Sequence, residues 1–256
     1  MAGDTFLLHE AADGIAERLA AVNRRFDHGL AVESRASRDF GAGGWLDTSL
    51  GENDVLAAEP ASFDLAVSIL ALHSVNDLPG VLAQVRRALR PDGLFLGALF
   101  GGETLFELRD SFTAAEAMTT GGISPRIAPF ADVRDLGGLL QRAGFALPVA
   151  DVERTTVRYR HLGSLVHDLR IHGETNALVE RSRKPPSHAT LAALQAHYAA
   201  HHADTDGKLR ATFDIVYLTG WAPHDSQQKP LKPGSAKSSL ALALGTVERP
   251  AGEKAG

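Results

Sequence analysis

The chain has 256 residues, of which 44% are hydrophobic, and its formal net charge is -5 with a pI near 6.1. This length and composition suit one domain of moderate size with a substantial core. The mild acidity offers no basic field for nucleic acid or membrane surfaces, and the lack of cysteine excludes disulfides, thiolate metal ligands and thiol nucleophiles. No apolar run approaches the roughly 20 residues of a membrane span. Because the acidic start also lacks a targeting pattern, we predict a cytoplasmic protein.

An amphipathic helix over Phe6–Asn23 and a short strand over Gly29–Val32 are the first predicted elements. Between that strand and Phe63 the chain has about 30 residues. Each strand, helix and strand unit ordinarily takes about 30, so the segment has room for only one. Two further units therefore do not fit at full length. We predict that one crossover helix is missing before Phe63.

The most regular stretch of the sequence predicts a buried strand, a helix and a second buried strand. Leu65–Leu72 is almost continuously apolar, which is typical of a strand covered on both faces. Asn76 or Asp77 can cap the next helix, and the segment from Arg90 to Gly93 can end it. Leu94–Phe100 is the second strand. Because strands connected through a helix lie parallel, we predict an α/β fold with these two strands adjacent at the centre of the sheet.

The remainder of the chain alternates between helical and strand-like patterns. Helices are predicted after Gly101–Thr104 and over Phe130–Ala143, Leu162–Val179 and Thr190–Ala203. Val149–Tyr159 alternates as an antiparallel strand does, and Leu209–Trp221 supplies the last strand.

Short motifs around the two central strands point to a family. They are Phe63-Asp64-Leu65, Val75-Asn76-Asp77-Leu78-Pro79, Leu89-Arg90-Pro91-Asp92-Gly93 and Phe100-Gly101-Gly102-Glu103-Thr104-Leu105. They resemble class I S-adenosylmethionine (SAM) dependent methyltransferases at their fourth and fifth strands. With the later segments GGISPRIAPF, YLTGW and KPGSAK, the sequence is similar to the methyltransferase-like assembly factors of respiratory complex I and their bacterial relatives. A more distant similarity is to the malonyl-carrier-protein methyltransferases of biotin synthesis.

The resemblance implies a Rossmann-like methyltransferase sheet, mostly parallel with an antiparallel C-terminal strand, helices on both faces and a shortened N-terminal part. We expect a methyltransferase-like domain over residues 1–223, with helical lid segments around 101–145 and 162–205. A polar tail follows over 224–256 and is predicted to be partly disordered, with the disorder at Glu248–Gly256. The resemblance also implies SAM as cofactor and a small-molecule or protein acceptor. A complex I subunit is one expected partner, and the assembly-factor family is described as hydroxylating an arginine.

Site residues follow from the same resemblance. The expected cofactor-binding residues are Glu33, Asp47, Glu52, Asn53, Leu70 and Ala71. Among them, Asp47 would bind the ribose hydroxyls and Glu52 would lie beside the adenine, although both could be plain loop acids. The candidate catalytic residue is His73, which could act as a base near neutral pH. A structural histidine bonded to a loop carbonyl is the alternative.

The turn after the first strand departs from the family pattern. Class I methyltransferases normally carry a glycine-rich DxGxGxG turn there, because missing side chains let the backbone approach the cofactor. Glu33–Ser37 has no glycine, and Glu33 and Arg35 would fill the cofactor's space unless the loop takes another course. Two functions therefore stay open, a SAM-dependent methyltransferase and a pseudoenzyme of the same fold that serves as an assembly or binding module.

Other site classes have little support in the sequence. His167, His172 and Glu174 lack the HExxH spacing that places two histidines on one helix face. The histidine-rich segment His197–His202 could bind a metal adventitiously, but we interpret it as a polar helix end and predict no metal site. No GxSxG elbow or GxxxxGK[ST] loop occurs, which removes the common hydrolase and P-loop classes.

Overall fold

The computed structural model describes residues 5–35, 40–228 and 245. The chain divides into two compact units, residues 1–223 and 224–256. In the second unit a short turn is closed by His224 Nδ1 and Ser226 Oγ, which lie 2.6 Å apart. The disorder predicted for Glu248–Gly256 lies outside the described residues.

The described part of the first unit contains six α-helices and six strands. In chain order they are α1 (Phe6–Ala20), β1 (His28–Val32), β2 (Gly44–Thr48), β3 (Phe63–Ile69), α2 (Leu78–Ala88), β4 (Leu89–Gly101), α3 (Phe106–Thr119), α4 (Val133–Arg142), β5 (Ala146–Tyr159), α5 (Leu162–Ile171), α6 (His188–His202) and β6 (Leu209–Trp221).

The six strands form one sheet in the order β2-β1-β3-β4-β6-β5. The first four strands are parallel to one another, and β6 and β5 are antiparallel to their neighbours. As predicted, β3 and β4 are adjacent at the centre, with Val67 opposite Leu96, and their paired segments are buried. The predicted α/β fold class is confirmed.

Helices cover both faces of the sheet because its buried side chains alternate between them. On one face, Val67 and Leu96 pack with apolar side chains of α1, α3, α5 and α6. On the other, Ala66 and Phe95 pack with α2 and α4. This two-sided burial explains why both central strands read as apolar runs in the sequence.

Helix α2 begins as predicted but ends differently. The Asp77 carboxylate accepts a hydrogen bond from the Gly80 N–H at 2.9 Å, and Pro79 lies in the first turn. The segment from Arg90 to Gly93, predicted as a turn, lies inside β4 instead. Asp92 there has a φ of +64°, and the strand pairing passes from Leu89 directly to Leu94, so the segment bulges out of the regular pairing. The segment therefore bends the chain as predicted, but as a bulge within β4 and not as a turn between the helix and the strand.

The connections from β1 to β2 and from β2 to β3 contain no α-helix within residues 33–35, 40–43 and 49–62. The prediction that only one crossover helix is missing was therefore too conservative. A short 3₁₀ turn, Glu52–Asp54, stands in the second connection. It is held by the Asp54 carboxylate, which accepts the N–H groups of Asn76 and Asp77 at 2.8 Å each.

Helix α5 is shorter than predicted, ending at Ile171 and not near Val179. Gly173 follows with a φ of +76°, the left-handed conformation in which helices commonly stop. The Glu174 N–H then donates to Leu169 O at 2.8 Å, which closes the helix end. The residues from Glu174 onward therefore form a loop, and Glu174–Glu180 line a cavity.

Candidate functional site

Two cavities lie at the carboxyl ends of the parallel strands, which is where open α/β sheets bind ligands. The smaller, of about 230 Å³, lies at the ends of β1 and β2 and is lined by Ala31, Glu33, Ser34, Arg35, Asp47, Thr48 and Ser49. The larger, of about 500 Å³, lies beyond β3 and β4. Its lining includes His73–Asn76, Leu105, Leu108, Phe112, Arg126–Phe130, Leu169 and Glu174–Glu180.

The turn after β1 takes a course that turns its first charged side chain toward β2. Glu33 has a φ of +44°, a backbone conformation that residues other than glycine rarely adopt. Its N–H donates to Thr48 O at 3.0 Å, and its carboxylate accepts the N–H of Leu50 at 2.5 Å. Glu33 therefore joins the ends of β1 and β2 without the glycine expected there.

The second charged side chain of this turn is also paired. The Arg35 N–H donates to Ile69 O at 3.1 Å, which ties the turn to the end of β3. The Arg35 guanidinium donates to His172 O at 3.1 Å and forms an ion pair with the Glu174 carboxylate. The loop thus avoids leaving either charged side chain buried without a partner, which is the costly outcome.

Glu174 connects this turn to the candidate catalytic histidine. His73 Nε2 lies 3.1 Å and 3.2 Å from the two carboxylate oxygens of Glu174. His73 Nδ1 accepts the Phe100 N–H at 3.4 Å, which assigns the ring proton to Nε2 and makes it a donor to Glu174. The alternative of a histidine bonded to a loop carbonyl is not what the structure has.

The electrostatics of Glu174 follow from these contacts. Its side chain is 16% exposed and that of His73 only 5% exposed. Burial by itself would raise the pKa of the Glu174 carboxyl, but the hydrogen bond from His73 and the guanidinium of Arg35 outweigh it and lower the pKa. Glu174 is therefore held as a carboxylate near neutral pH.

The ion pair between Arg35 and Glu174 stands between the two cavities. Arg35 lines the smaller cavity, and Glu174 and His73 line the larger one. A ligand that extended from one cavity to the other would meet this pair. Sequence reasoning missed the pairing because Glu174 lies 101 positions from His73 and 139 from Arg35, beyond any local pattern.

The structure brings only part of the predicted cofactor set together. Glu33 and Asp47 line the same cavity. Glu52 and Asn53 are exposed on their 3₁₀ turn. Leu70 and Ala71 are buried directly after β3 and are absent from the lining of either cavity, as are Glu52 and Asn53. The assignment of all six residues to cofactor binding, and of His73 to catalysis, stays a prediction.

The loop Gly121–Pro129, within the lid segment predicted around 101–145, contributes residues from Arg126 onward to the larger cavity. It is fastened by Glu116, whose buried carboxylate accepts the Ser124 N–H and the Arg126 Nε–H at 2.7 Å each. Burial alone would raise the pKa of Glu116, but its bonds to Ser124 and Arg126 lower the pKa. Asn176 adds a bond to Pro125 O at 2.8 Å, which joins the two loops over the cavity.

We expect the stability difference between the native protein and the variant Glu174→Gln to depend on pH. A carboxyl whose pKa is lowered by folding stabilises the protein above its unfolded-state pKa of about 4.3, and this contribution disappears as pH falls through the folded pKa. In urea unfolding, the native protein should have the higher free energy of unfolding above about pH 5, and the difference from the variant should shrink below about pH 4. Glu59→Gln, at an exposed position, is the control. A difference independent of pH would contradict the pairing.

The fold and the position of the cavities define a class of protein. A family model described as a methyltransferase domain matches residues 10–148. The chain belongs to this methyltransferase domain family.

Individual relatives refine the assignment. The chain is 43% identical over 208 residues to the human protein named arginine-hydroxylase NDUFAF5, mitochondrial, an alignment that covers 80% of this chain and 59% of the human protein. The Dictyostelium discoideum protein of that name is 42% identical over 195 residues, covering 76% and 45%. Malonyl-[acyl-carrier protein] O-methyltransferase of Xylella fastidiosa is 39% identical over 173 residues, covering 68% and 56%. The chain spans about half the length of these curated relatives.

Solved structures share the fold at low sequence identity. A Bacillus halodurans protein described as a candidate methyltransferase has a TM-score of 0.53 at 12% identity, covering 82% of this chain and 98% of that protein. The YcgJ protein of Bacillus subtilis has a TM-score of 0.52 at 11% identity, covering 83% and 99%. Among the helices of the described residues, none has the length and apolar character required to cross a membrane.

Proposed function

We propose that the chain is a SAM-dependent methyltransferase with its cofactor at the carboxyl ends of β1–β3 and its acceptor in the larger cavity. The observation that carries this proposal is the meeting of the two cavities at the ion pair of Arg35 and Glu174. Methyl transfer needs the donor and the acceptor held close together in line, and two cavities that meet at one ion pair could hold them in that way once the pair opens.

The smaller cavity suits the nucleoside part of SAM. Its lining combines the carboxylate of Asp47 with the hydroxyl-bearing Thr48 and Ser49. Carboxylate oxygens are the natural acceptors for a pair of ribose hydroxyls. Asp47 is therefore a better candidate for the ribose than Glu52, which is outside this lining.

Arg35 suits the amino-acid part. A guanidinium binds a carboxylate through two parallel hydrogen bonds, and Arg35 already holds the Glu174 carboxylate at the boundary of the smaller cavity. We infer that the α-carboxylate of the cofactor replaces Glu174 as the partner of Arg35. Binding then requires the ion pair to open first.

The larger cavity is suited to hold the acceptor and to exclude water from it. Leu105, Leu108, Phe112 and Phe130 give it apolar walls, and the fastened loop residues 126–130 close one side. When bound, SAM supplies an already activated methyl group, so the remaining task of the protein is positioning. The apolar walls exclude water from the reacting groups.

His73 has a defined place in this proposal. Because its Nε2–H is held by Glu174 and its Nδ1 accepts the Phe100 N–H, the ring has no free lone pair while the network is closed. Opening of the pair between Arg35 and Glu174 would leave His73 hydrogen-bonded to a carboxylate facing the acceptor. That carboxylate and ring together could receive the acceptor's proton.

The proposal is tested by calorimetric titration with SAM and with its demethylated product. We expect the native protein to bind both, and Asp47→Ala to weaken binding about tenfold by removing the ribose acceptor. Glu59→Ala, an exposed acid of the same N-terminal segment, is the matched control and should bind as the native protein does. If Glu52→Ala weakens binding and Asp47→Ala does not, the ribose assignment belongs to Glu52.

The acceptor, partner and location are the finer part of the proposal. The names of the relatives suggest two acceptors, an arginine side chain and a malonyl group on acyl carrier protein. The first name also describes hydroxylation in place of methylation. A complex I subunit as partner, a cytoplasmic location and a single functional domain over residues 1–223 are predictions that accompany this proposal.

A second function is favoured by one observation, the closed network of Arg35, Glu174 and His73 at the proposed passage. If this network does not open, the chain is a binding or assembly module of the same fold. The two functions are separated by the titration above, because a pure binding module gives no heat with SAM at any concentration and Asp47→Ala then changes nothing.

A further inference from the structure

A separate cluster of ligand-type side chains lies between α3 and α6. It consists of Asp110 on α3 and of His197 and His202 on α6, and one ligand atom of each lies within 4.8 Å of the others. His202 Nε2 is 2.8 Å from Asp110 Oδ2. None of the three residues lines the two cavities of the proposed active site.

The chemistry of this donor set is that of a zinc site. Two imidazole nitrogens and one carboxylate oxygen are ligands that Zn²⁺ binds at about 2.0 to 2.2 Å, with a water in the fourth position of an open site. Ligand atoms around a tetrahedral ion are then about 3.3 Å apart. The three ligand atoms lie within 4.8 Å of one another, so exposed Asp110 and half-buried His197, whose Nδ1 now lies 3.2 Å from Ser111 Oγ, would turn to reach this spacing.

The burial of the three residues favours a site with solvent access on one side. His202 is buried and packs edge-on against Phe106 and Tyr198, whose ring centroids lie 5.8 Å and 5.5 Å away. This packing fixes one ligand, while Asp110 remains 55% exposed in its side chain and leaves an entry path. A fixed ligand beside adjustable ones lowers the ordering cost of binding an ion.

A competing arrangement exists on the surface of α6. His197 and His201 are four positions apart on one helix face, with ring centroids 4.3 Å apart, and His201 is exposed. Two histidines at this spacing can hold an ion without any other element. That arrangement would use His201 and leave Asp110 aside, so the two can be told apart by mutation.

We propose that Asp110, His197 and His202 form a Zn²⁺ site that joins α3 to α6. From the sequence, His197–His202 is interpreted only as a polar helix end, because Asp110 lies far away along the chain. Helix α3 also carries Leu108 and Phe112, which line the larger cavity. A zinc ion at this position braces the helix that forms one wall of that cavity.

The test uses the full chain without a histidine tag, stripped of metal with a chelator and titrated with Zn²⁺. We expect one equivalent to bind and the melting temperature to rise by about 5 °C at a hundredfold excess over the dissociation constant. Asp110→Asn and His197→Ala should each weaken binding about tenfold or more. Both positions are partly or fully exposed, so these variants should fold.

Two controls separate this site from the alternatives. His188→Ala changes an exposed histidine at the start of the same helix and should bind Zn²⁺ as the native chain does, and so should His201→Ala. Co²⁺ in place of Zn²⁺ should develop the strong visible absorption of a tetrahedral ion. Loss of binding in His201→Ala with normal binding in Asp110→Asn would overturn the proposal in favour of a surface histidine pair. Absence of stoichiometric binding would overturn it altogether.

Discussion

Replacing Asp214 with alanine should lower the free energy of unfolding by about 3 kcal/mol. The Asp214 side chain is 4% exposed and accepts hydrogen bonds from Arg154 Nε–H at 2.7 Å, Arg154 Nη2–H at 2.8 Å and the Glu103 N–H at 3.0 Å. Burial alone would raise its pKa, but Arg154 and the Glu103 N–H lower it. The expected loss is at the low end for a buried pair because the Arg154 side chain is 55% exposed and water can solvate it.

The measurement is urea unfolding near pH 7, with Asp206→Ala as the matched control. Asp206 also pairs with an arginine, Arg158, at 3.0 Å, but on the exposed rim of the sheet, so its loss should hardly move the unfolding midpoint. Asp214→Asn keeps the shape and loses the charge, and we expect an intermediate effect. Equal effects of Asp214→Ala and Asp206→Ala would show that burial does not strengthen the pairing.

Asp214 also shapes the larger cavity through the turn that follows β4. The Thr104 Oγ1–H donates to Gly101 O at 2.8 Å, and Oγ1 accepts the Asp214 N–H at 3.0 Å. Gly102 has a φ of +50°, and a Cβ there would lie 2.8 Å from Asp214 Oδ2, so glycine is required on two counts. This turn places Leu105 at the cavity wall. Stability and site geometry are therefore linked at one buried carboxylate.

The central strands could be predicted because a strand buried on both faces appears in the sequence as a continuous run of apolar residues. β6 is observed at its predicted bounds, Leu209–Trp221. β3 and β4 begin earlier than predicted, and β3 ends at Ile69, before its predicted end at Leu72. In contrast, β2 is only half-covered at the sheet edge, with Leu46 44% exposed, and its sequence carries no comparable signal. A strand covered on both faces thus shows as an apolar run and the half-exposed β5 as an alternation, whereas the five-residue β2 is too short and too exposed to show either pattern.

The site was less predictable because its key contacts join distant parts of the chain. Asp47 and His73 could be proposed from the resemblance, which follows strand order. The role of Glu174 depends on α5 ending early at Ile171, and a helical pattern that runs on towards Val179 conceals that end. The partners of Glu33 and Arg35 likewise come from other segments, so the sequence could not show which course the loop takes.

Replacing Arg35 with alanine should weaken SAM binding about 30-fold, whereas Glu174→Gln should strengthen it about threefold to tenfold. A hydrogen-bonded guanidinium and carboxylate contribute about 2 kcal/mol, which corresponds to roughly 30-fold in the dissociation constant. In the proposed complex Arg35 gives up Glu174 and takes the α-carboxylate of the cofactor. Glu174 is then a competitor, and removing its charge frees Arg35 in advance.

Calorimetric titration of both variants with SAM provides the measurement. Arg24→Ala is the control, since Arg24 also pairs with an aspartate, Asp92, at 2.7 Å, yet lies outside the lining of both cavities. The decisive result is that the two variants change the affinity for SAM in opposite directions. A role for the pair in stability alone would make Arg35→Ala and Glu174→Gln change binding in the same direction, because each removes one half of the same contact. Parallel weakening would therefore reject Arg35 as a cofactor ligand, and binding that appears only in Glu174→Gln would identify the native ion pair as a closed gate.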